Sequence, residues 1–175
     1  MRLVVASGKG GTGKTLVAAN LAAVLSSEME VVLVDCDVEE PNAHLFFPSE
    51  EKVLPVLIDV PAFESSRCNH CGNCSDSCQY GAIVVLREQL LFFPAMCHGC
   101  GGCELVCPQG AISMAKRPIG HIAFSTPRQG LVLITGVLHE REVMSPRVIR
   151  EALNYASGHA LVICDAPPGT ACPVV

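Results

Sequence analysis

Short runs that are apolar on both faces alternate with stretches of helical period at the two ends of this chain. The middle follows neither rule. Arg2–Ser7 (RLVVAS) is apolar throughout and stops at a glycine, the pattern of a short buried strand. Lys14–Ser27 is alanine-rich with apolar residues at helical spacing and predicts a helix. Glu30–Asp37 (EVVLVDCD) predicts a second buried strand with acids at its C-terminal end. Strand, loop, helix, strand in that order implies a parallel α/β sheet. The rhythm returns late in the chain. Gly130–Gly136 reads as a strand, and Ser145–Ser157 as a helix with Ser145 as N-cap and Pro146 at its first position. Ala160–Thr170 reads as a strand ending in Asp165 and a rigid turn. A doubly wound sheet normally uses more strands than these four, so the chain is expected to be the front part of a longer protein.

Between Pro61 and Arg117 the chain is rich in Cys, Gly and short turns, and it repeats itself. CxxCxxCxxxC (Cys68, Cys71, Cys74, Cys78) runs into Tyr80–Ile83, YGAI. The same spacing (Cys97, Cys100, Cys103, Cys107) runs into Gln109–Ile112, QGAI. A segment this small cannot fold on apolar burial alone and needs a metal as its staple. The expected organisation is therefore a domain from residues 1–60 and 118–175, incomplete at its C-terminal end, with an insert over 61–117.

Bulk properties narrow the setting. Half of the 175 residues are hydrophobic, enough to bury a core. The net charge of -5 offers no basic surface, so no nucleic-acid partner is expected. No apolar run approaches the ~20 residues of a membrane span. The N-terminus leads straight into a glycine motif with no room for a signal peptide, so the protein is expected in the cytoplasm. Eleven cysteines without an export signal point to metal ligation in a reducing compartment rather than to disulfides. Cys36 and Cys164 are expected to pack in the core. Cys172 reads as a structural residue, with a reactive thiol or a metal-transfer ligand near a dimer face as the alternatives.

Gly8–Thr15 (GKGGTGKT) fits GxxxxGK[ST] between a predicted strand and a predicted helix. Glycines at 8, 10, 11 and 13 permit positive φ and close backbone approach. With Thr12 they form a loop whose N–H groups point at phosphate oxygens, helped by the helix N-terminus. Lys14 is expected at the β- and γ-phosphates of ATP and Thr15 on Mg²⁺. Asp35, Asp37 and Asp165 end their strands at the same edge of a parallel sheet and face one crevice. Asp165 is expected to hold a water of the Mg²⁺ shell, and Asp37 to orient the attacking water. For Asp35 the alternative is a cap or turn residue.

Lys9 at the start of the loop, with the DCD segment at Asp35–Asp37 and DAPPG at Asp165–Gly169, resembles the deviant Walker A ATPases. These include MinD, the Mrp-type iron–sulfur carriers, ParA and the nitrogenase iron protein. The resemblance implies that Lys9 reaches across an ATP-dependent dimer, a homodimer or a paralogous heterodimer, to the partner's phosphates. There its charge meets the negative charge of the transition state. The cysteine runs resemble bacterial two-cluster ferredoxins, in which the fourth cysteine of a run serves the other cluster. That implies one 4Fe–4S cluster on Cys68, Cys71, Cys74 and Cys107 and another on Cys97, Cys100, Cys103 and Cys78. Pro108 follows the usual pattern and Gln79 departs from it. Zinc is the rival, but zinc sites use CxxC pairs or mixed Cys and His at longer separations. His70 and His98 sit inside the loops as hydrogen-bonding neighbours, not ligands. His44, His121, His139 and His159 have no evident partners, and the charges of Leu138–Val143 are expected to be solvated.

The fold implied is an α/β P-loop domain with a doubly wound, mostly parallel sheet and an inserted bacterial-ferredoxin-like α+β domain. The function implied is an ATPase whose nucleotide-driven dimer changes are coupled to two 4Fe–4S clusters. The clusters would carry electrons to a redox client protein. The alternatives are an iron–sulfur assembly factor or carrier with its own client, and a MinD-like positioning factor.

Overall fold

A computed structural model describes residues 1–169. The chain forms two compact units. One comprises Met1–Val56, Ile119–Glu140 and the chain from Met144 onward. The other comprises Leu57–Pro118 with Arg141–Val143.

The first unit is built on β1 (Arg2–Val5), α1 (Lys14–Leu25), β2 (Val31–Asp35), the start of β3 (Lys52–Phe63) and the later part of β6 (Ile112–Arg128), β7 (Leu131–Leu138), α4 (Ser145–Tyr155) and β8 (Leu161–Asp165). The sheet order is β1-β8-β2-β7-β6-β3. β1, β8, β2 and β7 are parallel, and β6 runs antiparallel to β7. β2 and β8 are buried at every position, as strands covered on both faces must be. On one face Ala18 and Ala22 of α1 pack against Val31, Leu33, Leu131, Leu133, Leu161 and Ile163. Alanine lets the helix backbone lie close to this β-branched and leucine surface. On the other face α4 buries Val148, Ile149 and Ala152, with Val148 lying over Gly120 and Gly136. β6 and β7 turn back at Gly130, whose φ of +79° and approach to the Ser26 carbonyl leave no room for a side chain.

Among the described residues the sheet has six strands, where the sequence pattern predicts four. β3 carries Pro55 and Pro61, and β6 carries Pro118 and Pro127, residues that argue against a central strand. β3 tolerates its prolines because it is an edge strand. A second correction concerns α4. Ser145 is its first helical residue, Met144 occupies the N-cap position, and no side chain caps the helix.

The second unit contains α2 (Asn73–Ser77), the hairpin β4 (Ile83–Leu86) and β5 (Gln89–Phe92), and α3 (Gly102–Leu105). Its apolar core is small: Cys74, Ile83 and Ile112, with Phe63, Val85, Leu90 and Phe92 around them. Phe63 and Phe92 meet edge to face at 5.6 Å. The charges of Leu138–Val143 are not all solvated. Glu142 is only 11% exposed and forms a two-pronged pair with the Arg117 guanidinium, one arm at 3.0 Å.

Candidate functional site

The first unit carries the glycine loop between β1 and α1. The Ser7 hydroxyl donates to the Lys9 carbonyl at 2.7 Å, and the Thr12 hydroxyl donates to Ser7 Oγ at 2.8 Å. Thr12 thus holds the loop's shape. Gly11 and Gly13 have φ of +69° and +85°, which their backbone conformation alone accounts for. Gly8 and Gly10 have no positive φ, and a Cβ there meets nothing within 4 Å. The chain's own packing does not demand glycine at either position. What glycine leaves is bare backbone beside open space. α1 begins without a side-chain cap, so its first-turn N–H groups face the same space. Lys9 is exposed on this loop.

Asp35 and Asp165 are register partners on neighbouring strands, and Val5 is the partner of Asp165 on the other side. The carboxylates therefore stand at the sheet edge from which the loop springs. Asp165 is 1% exposed, and among the described residues neither of its oxygens has a hydrogen-bond partner of normal geometry. Burial raises its pKa. The Thr15 hydroxyl and the Lys14 charge lie near enough to offset part of that. A buried carboxylate without donors suits a cation or its water shell. Asp37 is half-buried, raised by burial, lowered by Lys14 and raised again by Asp165. Lys14, Thr15, Asp37 and Asp165 form one cluster.

Asp35 stands apart chemically. It is fully buried, and its oxygens accept backbone N–H bonds from Asp37 (3.1 Å), Asn42 (3.0 Å) and Ala43 (2.9 Å). These bonds tie down the loop that presents Asp37. Burial nevertheless pushes its pKa up to about 6, with the neighbouring Asp165 adding to the shift. Thr135 is a residue that sequence reasoning missed. It pairs with Asp35 in register, is 3% exposed, and among the described residues its hydroxyl has no partner. Its place at the end of a predicted strand was the available signal.

Cys36 and Cys164 are buried on the α4 face, as core residues, and their thiols adjoin each other. Cys172 lies outside the described residues. The His121 and His139 rings lie tilted at 51°, with centroids 5.8 Å apart.

In the second unit, one small cavity is lined by Cys68, Cys71, Cys74 and Cys107. Another is lined by Cys78, Cys97, Cys100 and Cys103. Three thiols of each set come from one run and the fourth from the other. Gly72 and Gly101 turn the two loops at φ of +87° and +74° and start α2 and α3, which bring in the third cysteine of each run. All eight thiols are free. Burial is the largest influence on Cys74 and Cys103 and raises both, with the neighbouring thiols of the run adding to it. Among the described residues no three Cys, His, Asp or Glu side chains converge on a single ion position. The thiols instead ring an open volume. His70 lines the first cavity and His98 the second.

Comparison with known proteins gives the chain its family. Residues 3–155 match the CobQ/CobB/MinD/ParA nucleotide binding domain, and the chain belongs to that family. Two uncharacterized proteins of Methanocaldococcus jannaschii are 39% and 31% identical to it over its whole length. The chain covers 62% and 64% of those relatives, somewhat under two thirds of their length. The septum site-determining protein MinD of Synechocystis is 44% identical over 63 residues, which is 35% of this chain and 24% of that one. Among solved structures, Pyrococcus horikoshii MinD with Mg-ADP aligns over 99% of this chain and 52% of its own. The TM-score is 0.47 and the identity 20%.

Proposed function

We propose that this protein is a cytoplasmic ATPase carrying two 4Fe–4S clusters, and that its nucleotide state governs electron delivery to a redox client. The observation that carries the reading is the pairing of two four-thiol cavities with a P-loop in one chain. Each cavity offers four thiols around a volume instead of four ligands around a point. That donor set fits a cubane, whose four irons each take one thiolate, better than it fits one zinc ion. When bound, such clusters supply one-electron chemistry at low potential.

In this reading the bare backbone at Gly8 and Gly10 and the first turn of α1 bind the phosphates. Lys14 neutralises the β- and γ-phosphates. Thr15 and the buried Asp165 would hold Mg²⁺ and its water. Asp37 orients the water that attacks the γ-phosphorus; the bond to the bridging oxygen breaks, and ADP and phosphate leave. Lys9 serves the partner protomer's phosphates in an ATP-dependent homodimer or paralogous heterodimer. The insert acts as a ferredoxin-like domain over residues 61–117, within a P-loop domain of residues 1–60 and 118–175. Four thiols drawn from two separate runs of the chain around each site favour a resident cluster over a cargo cluster awaiting transfer.

The test is anaerobic EPR of the dithionite-reduced whole protein, with and without MgATP. Two interacting clusters whose spectrum or reducibility shifts with MgATP are expected. Clusters indifferent to MgATP would refute the coupling, and a protein that binds no iron would refute the cluster assignment.

A further inference from the structure

The internal repeat gives each wall position of one cavity a counterpart in the other. Gln109, two residues after Cys107, lines the first cavity; Tyr80, two after Cys78, lines the second. Asn69 follows Cys68 in the first, and His98 follows Cys97 in the second. Asn73 of the first has Gly102 as its counterpart. The same fold therefore surrounds one set of thiols with three side-chain amides and His70, and the other with an aromatic pair and Ser77, whose hydroxyl already donates to the Cys74 carbonyl at 3.3 Å. Tyr80 and His98 stack face to face, with ring centroids 3.7 Å apart and planes 9° from parallel.

Two other influences have counterparts on both sides. Cys71 and Cys100 are the exposed thiols of their respective sets. Each side also has one cation paired with one anion. Arg67 donates to the Gln109 carbonyl at 3.0 Å and pairs with Glu64, while Arg117, close to Cys97, pairs with Glu142. The charges cancel on both sides. What remains is donor capacity. Each amide brings two N–H donors, and in Asn69 the side-chain oxygen already accepts from the Cys71 N–H, leaving the NH₂ to act as donor. The stacked rings turn flat apolar faces to each other and bring fewer donors. Hydrogen bonds to cluster sulfurs stabilise the more negative, reduced state and raise the potential.

On the cluster reading above, we infer that the two centres are unequal. Asn69 and Gln109 make the first cavity the higher-potential centre, and the Tyr80–His98 stack makes the second the lower-potential one. Electrons entering at the second centre then run downhill to the first. Tyr80, His98, Asn69 and Gln109 act as positioning residues that set this direction.

The experiment is an EPR-monitored redox titration of the whole protein, reconstituted anaerobically with iron and sulfide. The wild type should reduce in two separated waves. Replacing both Tyr80→Gln and His98→Asn should raise the lower wave toward the upper and leave the upper in place. The reciprocal pair, Asn69→His with Gln109→Tyr, should lower the upper wave, so the test survives if one variant folds poorly. A single wild-type wave, or stack variants that move only the upper wave, would overturn the inference and leave the cluster reading standing. A protein that takes up no iron would overturn that reading and this inference together.

Discussion

Gly10→Ala distinguishes what the fold asks of the phosphate loop from what a phosphate asks. Gly10 has no positive φ, and an added methyl meets no atom within 4 Å. The substitution should therefore change the stability of the nucleotide-free protein by less than about 0.5 kcal/mol. The melting temperature should then move by no more than ~2 °C. Gly13→Ala is the contrast, because its φ of +85° forces an L-residue into the left-handed region at a cost of about 1–2 kcal/mol. Binding should respond in the opposite sense. The Gly10 methyl would fill the space that a phosphate needs to reach the backbone N–H groups. Losing one charge-assisted hydrogen bond costs about 1.5–3 kcal/mol, roughly a ten- to hundredfold weaker Kd for MgATP. Calorimetric melting without nucleotide and titration calorimetry with MgATP read the two effects separately. A Gly10→Ala protein that melts several degrees lower while binding MgATP normally would refute the reasoning, since glycine would then serve the fold and not the ligand.

Three further outcomes are expected. Cys107→Ser should cost the first cavity its iron while the second keeps its own, giving about half the wild-type iron by chemical assay; loss from the second cavity instead would contradict the crossed arrangement. Asp35, raised from 3.8 to about 6, favours the folded state at low pH and loses that contribution as pH rises through 6. Between pH 5 and 7.5 the loss is about 1.4 kcal/mol, readable by urea unfolding, and Asp35→Asn should flatten that pH dependence. Lys9→Ala should abolish ATP turnover while MgATP binding to a single protomer persists, whereas Lys14→Ala should lose both; unimpaired turnover in Lys9→Ala would exclude a role in trans.

How much could be read in advance depended on how local the physics is. The loop at Gly8–Thr15 and the buried strands β1, β2 and β8 announce themselves because each property lies within a few consecutive residues. The eight cysteines do so by spacing alone. β3 and β6 were hidden because Pro55, Pro61, Pro118 and Pro127 erase the strand pattern, and only the sheet context shows where those prolines are tolerated. Asp35 was readable as an acid at a strand end. Its use as an anchor for the N–H groups of Asn42 and Ala43 depends on where the following loop folds back. The Arg117–Glu142 pair spans 25 residues, and no local pattern connects its members.

The crossed lining of the cavities also has a consequence in time. Cys107 lies 33 residues beyond Cys74, so the first cavity has three of its four thiols long before the fourth is made. At roughly 5–20 residues per second the ribosome takes about two to seven seconds to supply it. Cys78 waits in the same way for the second run. Neither cavity can close on its own half of the repeat, so the insert must be completed as one unit during synthesis.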